Sequence, residues 1–328
     1  MPRRRLGVAL LLDPPLADEV EGLRRAVGDQ ALVRIPPHVT LVPPVNVAEG
    51  DVASALARLR DAAASVSGPM RLVLGPPATF LPANPVLHLP VGGDTDALGR
   101  VRATVFAGPL SRPEAWPWTP HVTLADEADP ERIEAALGVL SGYHVGFEAD
   151  RLVLLEERRT GTEQRWRPLA DVVFGPRQVV GRGGLELELT LGRLLDPEAA
   201  ALLRALPELP DGPEGPFLGP EARPGGRTAP PPAGEEAGWE LGERRAPFPL
   251  LCVARRREGT VGVGAAWWSD WHGFLGVAVD PGVRRQGIGS QILARLESVL
   301  VDAGWDRPEL ETVGAAGFYR LSRLAAGR

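Results

Sequence analysis

The sequence predicts two domains: an α+β domain built from two similar lobes, then an α/β domain with a mixed sheet. Two observations support this prediction. The string Pro-His-Val-Thr-Leu occurs twice, beginning at Pro37 and at Pro120, and a Gly-rich turn begins far downstream at Arg284. At 328 residues, the chain is long enough for two domains that each bury a core. We expect the first domain at residues 1–176 and the second at residues 183–328.

The first half reads as strands and helices arranged around the two repeats. We expect an apolar strand at 6–12, a helix at 16–27 and a closing hairpin of residues 151–155 and 166–174. The charged run Glu156-Glu157-Arg158-Arg159 is predicted to be the solvated tip of that hairpin. His88 lies in a further apolar strand and is expected to be structural rather than catalytic.

Each repeat places a His and a Thr two residues apart, so both project from the same face of a strand. If the two strands face one another across a cleft, two imidazoles and two hydroxyls meet one ligand. One His can then accept a proton while the other supplies one, and Thr hydroxyls can donate hydrogen bonds to anionic oxygens. The alternative is that both histidines are ordinary strand residues and the repetition is accidental.

The paired motif resembles the 2H phosphoesterase superfamily, in its bacterial 2′-5′ RNA ligase and cyclic phosphodiesterase branch. The match is residue by residue at His38, Thr40, His121 and Thr123. The resemblance implies a reaction without metal or cofactor on a 2′,3′-cyclic phosphate or a 2′-5′ phosphodiester. One His activates water or a ribose hydroxyl, the other protonates the leaving oxygen, and the threonines hold the phosphate. Which His is the base, and whether the enzyme hydrolyses or ligates, stays open.

The amino-acid composition restricts the expected ligands of the protein and its expected cellular location. A formal net charge of −6 argues against binding to long duplex nucleic acid, so a nucleotide or an RNA end is the expected ligand. Every basic side chain is an arginine, whose fork suits phosphate, although Arg34 beside the first repeat is expected to be a solvated charge. The single Cys252 fits a reducing compartment, and no apolar run is long enough to span a membrane. We therefore predict a cytoplasmic bacterial protein.

The second half restarts the pattern with a strand at 185–191 and a helix at 197–206. A Pro/Gly-rich stretch at about 207–249 is expected to be an irregular insertion within the second domain. Apolar strands resume at 250–254 and 260–268. A further strand at 274–279 then enters the Gly-rich turn and a helix. Backbone N–H groups and the helix dipole at such a junction form an anion cradle.

This junction resembles the GNAT acetyltransferases, whose pyrophosphate-binding signature is Arg/Gln-x-x-Gly-x-Gly/Ala. The resemblance implies acetyl-CoA as cofactor and an unknown amine as acceptor. The residues expected to bind the cofactor are Val277, Val279, Arg284, Arg285, Gln286, Gly287, Ile288, Gly289 and Ser290. Residues 317–319 resemble the family's later helix, and Tyr319 is the candidate proton donor to the departing thiolate. The alternative for Tyr319 is an ordinary aromatic of the last helix.

The leading hypothesis is a bifunctional enzyme that combines a 2H phosphodiesterase or ligase with an N-acetyltransferase. A second hypothesis makes acetyl transfer the main activity, with an accessory nucleotide- or RNA-binding first domain that lacks turnover. A third is non-catalytic, with the first domain gripping an RNA end or a nucleotide. Trp116 and Trp118, just before the second repeat, could stack on a base or pack between the lobes.

Overall fold

The computed structural model describes residues 2–161, 163–182, 185–205, 240–241, 244–245, 250–269, 272–302, 310–313 and 318–322. The chain divides into two compact units, Met1–Pro176 and Arg177–Arg328. The predicted insertion lies almost entirely outside the described residues. Within it, only the short strands β12 (Glu240–Leu241) and β13 (Arg244–Arg245) are described, as an antiparallel pair.

The first unit contains nine strands and four helices among its described residues. The strands are β1 (Arg3–Leu11), β2 (His38–Ala48), β3 (Met70–Leu74), β4 (Ala78–Thr79), β5 (Leu87–Gly93), β6 (His121–Ala125), β7 (Val145–Ala149), β8 (Arg151–Thr160) and β9 (Glu163–Val173). The helices are α1 (Leu16–Ala26), α2 (Val52–Ala63), α3 (Thr95–Val105) and α4 (Pro130–Val139).

The duplication is visible in the connectivity of these elements. The sheet runs β7-β3-β5-β6-β2-β1-β8-β9, with β4 added beside β5. One strand–helix–strand unit, β1-α1-β2, carries the first repeat, and a second, β5-α3-β6, carries the other. The strands β2 and β6 are antiparallel neighbours. The two repeats therefore lie side by side in one sheet, rather than on strands that face one another across a cleft.

The apolar residues of both repeats point into one core. Val39, Leu41, Val122 and Leu124 are fully buried, in the same cluster as residues of helices α1 to α4. Because strand side chains alternate between faces, the histidines and threonines of the repeats lie on the opposite face of the sheet. The helices cover one face, and the polar residues of the repeats occupy the other.

Helix α1 brings a buried arginine close to the first repeat. Leu16, Val20 and Arg24 are its buried residues, four positions apart along one helical face. Asp18 and Glu19 lie in its first turn and basic residues in its last, which matches the helix dipole. The chain leaves the helix through Gly28, whose φ of +79° favours glycine.

The hairpin of β8 and β9 corrects one expectation. The run Glu156 to Arg159 lies within β8 rather than at the hairpin tip. The side chains of Glu156 and Glu157 are only 7% and 3% exposed, because arginines from β1, β8 and the segment before β2 surround them. These carboxylates are buried ion-pair partners rather than solvated charges.

Among its described residues, the second unit has a main sheet with one helix on each face. Its strands are β10 (Gln178–Arg182), β11 (Leu185–Gly192), β14 (Leu250–Arg256), β15 (Gly259–Ser269), β16 (His272–Val279), β17 (Leu310–Val313) and β18 (Phe318–Ser322), in the order β10-β11-β14-β15-β16-β18-β17. The helices are α5 (Pro197–Ala205) and α6 (Ile288–Asp302). Each ladder that the structure describes in this sheet is antiparallel.

Strand β14 shows how the sequence builds these three layers. Leu250 and Cys252 pack in a cluster with α6, whereas Leu251 and Val253 pack in a cluster with α5. An apolar run without alternation is expected of a strand that is buried on both faces. Gly264 of β15 lets α6 approach, because a Cβ there would collide with the side chain of Ile292. No helix in the described parts of the chain is long and apolar enough to cross a membrane.

The prediction of a helix around Tyr319 is wrong. Tyr319 lies in β18, opposite Leu275 of β16 and Thr312 of β17. Pairing on both edges gives the backbone of this short aromatic segment its hydrogen bonds without a helix. The proposed role of Tyr319 as a proton donor stays a prediction.

Candidate active site

The two repeats meet at one pair of residues. Val39 of β2 lies directly opposite Val122 of β6 in an antiparallel ladder. That register places His38 across from Thr123, and Thr40 across from His121. The two histidines are then diagonal neighbours on one face, roughly 7–8 Å apart at the backbone. Two imidazoles at that separation can contact the same phosphate group.

Each of the two histidines makes the same kind of hydrogen bond to a main-chain carbonyl, and this bond fixes its tautomer. Nδ1 of His38 lies 2.8 Å from the carbonyl oxygen of Pro36, and Nδ1 of His121 lies 2.7 Å from that of Thr119. A carbonyl can only accept, so each Nδ1 carries the proton and donates it. Each neutral imidazole therefore presents an unprotonated Nε2. The bond is repeated at the same position of both motifs, two residues before the His.

A cavity of about 300 Å³ opens on this face of the sheet. His38, Thr40 and Thr123 line it, together with the indole of Trp166 from β9. His121 is not part of this lining and lies on the β5 side of the repeats. The volume is at the lower end of the range for small-molecule sites, which suits one nucleotide.

Arg24 gives this cavity a buried positive charge. Its side chain is 4% exposed, and Nε donates to Asp29 at 2.8 Å. Nη1 donates to the carbonyl oxygen of Ile35 at 2.9 Å. Both Arg24 and Asp29 line the cavity, so the ion pair holds a guanidinium beside His38. Sequence reasoning missed this pair, although an Arg on the apolar stripe of α1 was a signal for it.

His88 belongs to the same cluster as the second repeat. Its ring lies 5.1 Å from that of His121 and stacks on Phe80 at 4.0 Å. His88 is opposite Thr123 in the β5–β6 ladder and 3% exposed. Its Nδ1 makes no hydrogen bond of good geometry among the described residues. The main-chain carbonyl of Val86 is a polar group close to it. His88 lies in a strand as expected, and its ring contacts that of His121, a candidate catalytic residue.

The tryptophans before the second repeat differ in their surroundings. Trp118 donates from Nε1 to the carbonyl oxygen of Thr40 at 2.9 Å, and the guanidinium of Arg102 lies 4.9 Å from its ring. Trp118 thus packs against the first repeat and helps to position it. Trp116 is 73% exposed.

Burial lowers the pKa of all three clustered histidines. It lowers the pKa of His38 to about 4, and the charges of Arg24 and His121 add to this effect, while the bond to Pro36 opposes it. It also lowers the pKa of His88 to about 4, and it lowers that of His121. At neutral pH without ligand, His38 and His88 are therefore uncharged. An anion bound between His38 and His121 favours a proton on one of them.

The second unit presents a different kind of candidate site at the end of β16. The ladder between β16 and β18 ends where Gly276 meets Phe318, while β15 continues to pair as far as Val279. Among the described strands, the main chain of Val277 to Val279 therefore pairs on one side only. An extended ligand arm can hydrogen-bond to the other side of such a strand.

The turn after β16 leads into the N-terminus of α6. Arg285 and Gly287 have φ values of +64° and +80°, and residues 284–287 are exposed. The first intrahelical bond of this turn runs from the Gln291 amide to the Gly287 carbonyl, at 3.1 Å. The amides of Ile288, Gly289 and Ser290 precede it and lack partners within the helix. A Cβ at Gly289 would lie 3.5 Å from Val277, so the helix end packs closely on the strand.

Two side chains of this turn already have partners. Arg284 donates from Nε to the carbonyl oxygen of Val279 at 3.2 Å, and Gln286 accepts from Arg256 at 2.7 Å. The predicted cofactor-binding residues thus form one continuous segment, from the edge of β16 that no other described strand pairs to the start of α6. Tyr319 lies on the neighbouring strand, beyond the end of that edge.

Comparisons with known proteins find one family match in each half of the chain. Residues 12–161 match the family described as the 2′-5′ RNA ligase superfamily, and residues 248–321 match the one described as the acetyltransferase (GNAT) domain. The protein named "Putative phosphoesterase BH1439" from Halalkalibacterium halodurans is 29% identical over 158 residues, which cover 48% of this chain and 91% of that protein. A relative of the same description from Bacillus pumilus is 27% identical over 160 residues, 48% of this chain and 92% of its own.

Solved structures resemble the first half of the chain. The crystal structure of E. coli LigT complexed with 3′-AMP is 16% identical, covers 53% of this chain and 99% of its own, and has a TM-score of 0.38. The crystal structure of TT0787 of Thermus thermophilus is 17% identical, covers 52% and 98%, and has a TM-score of 0.40.

Proposed function

We propose that this chain, which joins a 2′-5′ RNA ligase superfamily domain to a GNAT acetyltransferase domain, is an enzyme with two activities. The first unit cleaves or forms a phosphodiester at the end of an RNA or in a nucleotide. The observation that carries this proposal is the pairing of Val39 with Val122, which gathers two histidines and two threonines on one open face. Acetyl transfer in the second unit is a separate proposal.

Hydrolysis of a 2′,3′-cyclic phosphate illustrates the roles of these groups. Nε2 of one neutral histidine takes a proton from water as the water oxygen bonds to phosphorus. The other histidine, protonated in the complex, gives its Nε2 proton to the ribose oxygen as the bond from phosphorus to that oxygen breaks. The hydroxyls of Thr40 and Thr123 donate to the phosphate oxygens, which gain charge in the transition state. The reverse roles form the phosphodiester, so either His can be the base.

The test compares nucleoside 2′,3′-cyclic phosphates with 2′-5′-linked oligonucleotides as substrates. We expect turnover of at least one class, and loss of that turnover in His38→Ala and in His121→Ala. His144→Ala is the matched control, because His144 is an exposed histidine of the same unit. Equal turnover in all variants would refute the assignment. Ligand binding without turnover in the wild type would favour the accessory or non-catalytic alternative.

For the second unit, we propose that acetyl-CoA binds along β16 beyond Gly276, on the side where no described strand pairs with it, and at the turn before α6. The open turn, the positive φ values and the unpaired first-turn amides fit a pyrophosphate. The residues that would hold it are those of the segment 284–290, and the main chain of Val277 and Val279 would contact the pantetheine arm. When bound, the group would supply an acetyl thioester for transfer to an amine, and Tyr319 is the proposed proton donor to the thiolate.

Calorimetry with acetyl-CoA tests this second proposal. Gly287→Glu puts a carboxylate and a strained left-handed residue into the cradle, so we expect affinity to fall at least about tenfold. Gly161→Glu is the matched control, since Gly161 also has a positive φ and open space around its Cα. Binding that is unchanged in Gly287→Glu would remove the basis of the proposal. A cytoplasmic location remains a prediction from the single Cys252.

A further inference from the structure

A groove rich in arginine lies on the first unit beside the candidate active site. Five arginines line it: Arg3, Arg4, Arg5, Arg158 and Arg159. Its volume is about 790 Å³, and it contains three carboxylates, those of Glu49, Glu156 and Glu157. Five cations against three anions leave a surplus of two positive charges, in a chain whose net charge is −6. We call this feature the arginine groove.

Buried carboxylates hold these arginines in place. Glu157, 3% exposed, lies 3.4 Å from Arg5 and 3.9 Å from Arg159. Glu156, 7% exposed, accepts hydrogen bonds from Nε and Nη2 of Arg4 at 2.6 and 2.8 Å and also contacts Arg158. Each carboxylate is shared between guanidinium groups, so it orders them without neutralising them all.

The guanidinium groups keep donors available to a ligand. The side chains of Arg5, Arg158 and Arg159 are 43%, 60% and 73% exposed. A guanidinium carries five N–H donors in a planar fork, and one carboxylate occupies two at most. The groove is therefore an ordered array of donors with surplus positive charge, as a chain of phosphates requires.

Part of the arginine groove, formed by Arg3, Arg5, Glu157 and Arg159, continues the face that carries the catalytic candidates. Leu6, Val8 and Leu10 of β1 pack into the core, so Arg5 and Ala9 point to the opposite face, where Ala9 lines the His38 cavity. Leu155 also lines that cavity, and Glu157 lies two residues further along the same face of β8. Arg34 links the two features, because it lines the cavity and lies 3.5 Å from Glu157.

The His38 cavity and the arginine groove are too far apart for a single phosphate group to contact both. Ala9 and Arg5 are four residues apart along β1, which corresponds to roughly 13 Å of strand. A phosphate held between His38 and His121 leaves the arginine groove open to a second part of the same molecule.

We propose that the arginine groove binds the phosphate backbone of single-stranded RNA that extends beyond the nucleotide at the histidines. The inference rests on the proposed phosphodiester chemistry and narrows its substrate to an oligonucleotide end rather than a free mononucleotide.

Fluorescence anisotropy of a labelled RNA decamer ending in a 2′,3′-cyclic phosphate tests this proposal without requiring turnover. We expect the decamer to bind with a higher affinity than adenosine 2′,3′-cyclic phosphate, whose affinity is measured by competition against the labelled decamer. In the double variant Arg5→Gln and Arg159→Gln, this advantage should fall roughly tenfold, and the slope of log affinity against log salt should become shallower by about 1.4 for two lost contacts. Arg3→Gln, at an exposed position, is a second variant that should act in the same direction.

The matched control is the double variant Arg71→Gln and Arg100→Gln, two exposed arginines outside the groove. The proposal is overturned if the decamer has no advantage, if the control loses as much affinity, or if a glutamate decapeptide displaces the RNA equally well. Thermal melting checks that each variant is folded. Turnover of the decamer's 2′,3′-cyclic phosphate end and of a 2′-5′-linked decamer is scored separately: absence of both, with decamer binding intact, would refute the phosphodiester chemistry and leave the groove supported.

Discussion

The two units build their candidate sites from different parts of the chain. In the first unit, side chains supply the reactive atoms, and main-chain carbonyls orient the histidines. In the second unit, the candidate site consists mainly of main chain: a strand edge that no other described strand pairs, and a turn with two positive φ values. The identity of the side chains should therefore decide function in the first unit, whereas backbone conformation should decide it in the second.

The largest predicted effect tests the contrast between the two units directly. His38→Ala should lower phosphodiester turnover by about 10²- to 10⁴-fold, because a proton-transfer group is lost. Gln286→Ala truncates a side chain in the cradle of the second unit, and acetyl-CoA affinity should change by about fivefold or less, since the amides remain. Steady-state kinetics and calorimetry measure the two effects. A large loss in Gln286→Ala would contradict a cradle made of backbone.

The buried ion pair beside His38 should make the first unit sensitive to a single charge. Asp29→Asn leaves the guanidinium of Arg24 buried without its anion, which should destabilise the fold by about 3–5 kcal/mol. Glu21→Gln is the control, because it breaks the exposed pair with Arg25 and should cost about 0.5 kcal/mol or less. Urea unfolding measures both changes. Similar losses in the two variants would show that Arg24 is hydrated.

The threonines test the symmetry of the first site. Thr40→Val and Thr123→Val should each lower kcat by roughly 10²- to 10³-fold, the usual cost of losing one donor to a developing oxyanion. Because the register places the two threonines equivalently about the Val39–Val122 pair, their effects should agree within a few-fold. Thr104→Val, on the exposed side of α3, is the control. A strongly unequal pair would mean that one threonine holds no phosphate oxygen.

The smallest predicted effect concerns pH. His38 and His88 have pKa values of about 4 in the folded unit, below the value near 6.5 of an unfolded His. The unfolded state therefore binds more protons, and stability present above pH 6.5 is lost as pH falls towards 4. His88→Phe removes one such group and keeps a ring beside Phe80. Urea unfolding across this range should show a shallower loss than in the wild type, and an unchanged slope would contradict the low pKa of His88.

The repeats alone predicted which of their side chains enter the core and which lie on the opposite face of the sheet. Strand periodicity separated His38 and Thr40 from Val39, and it did the same for His121, Thr123 and Val122. It could not predict that β2 and β6 are neighbours, because that pairing joins segments far apart in the chain. The same limit hid Trp166 and Asp29, which reach the cavity from other elements.

The errors have local causes. The charged run from Glu156 reads as a solvated turn, but arginines of β1 bury its carboxylates. Arg34 is exposed, as expected of a solvated charge, but its contact with Glu157 could not be predicted because the two residues are remote in sequence. Around Tyr319, a family pattern suggested a helix, whereas pairing with two strands made this segment β.

The central claim is that both histidines face one phosphate group through Nε2. Nitrogen-15 NMR of histidine-labelled protein, titrated with inorganic phosphate at neutral pH, tests it directly. The resonances are assigned with the variants His38→Gln and His121→Gln. We predict that the Nε2 signals of His38 and His121 shift together with one binding constant, while both Nδ1 atoms stay protonated. A shift at only one of the two, or two different binding constants, would contradict it.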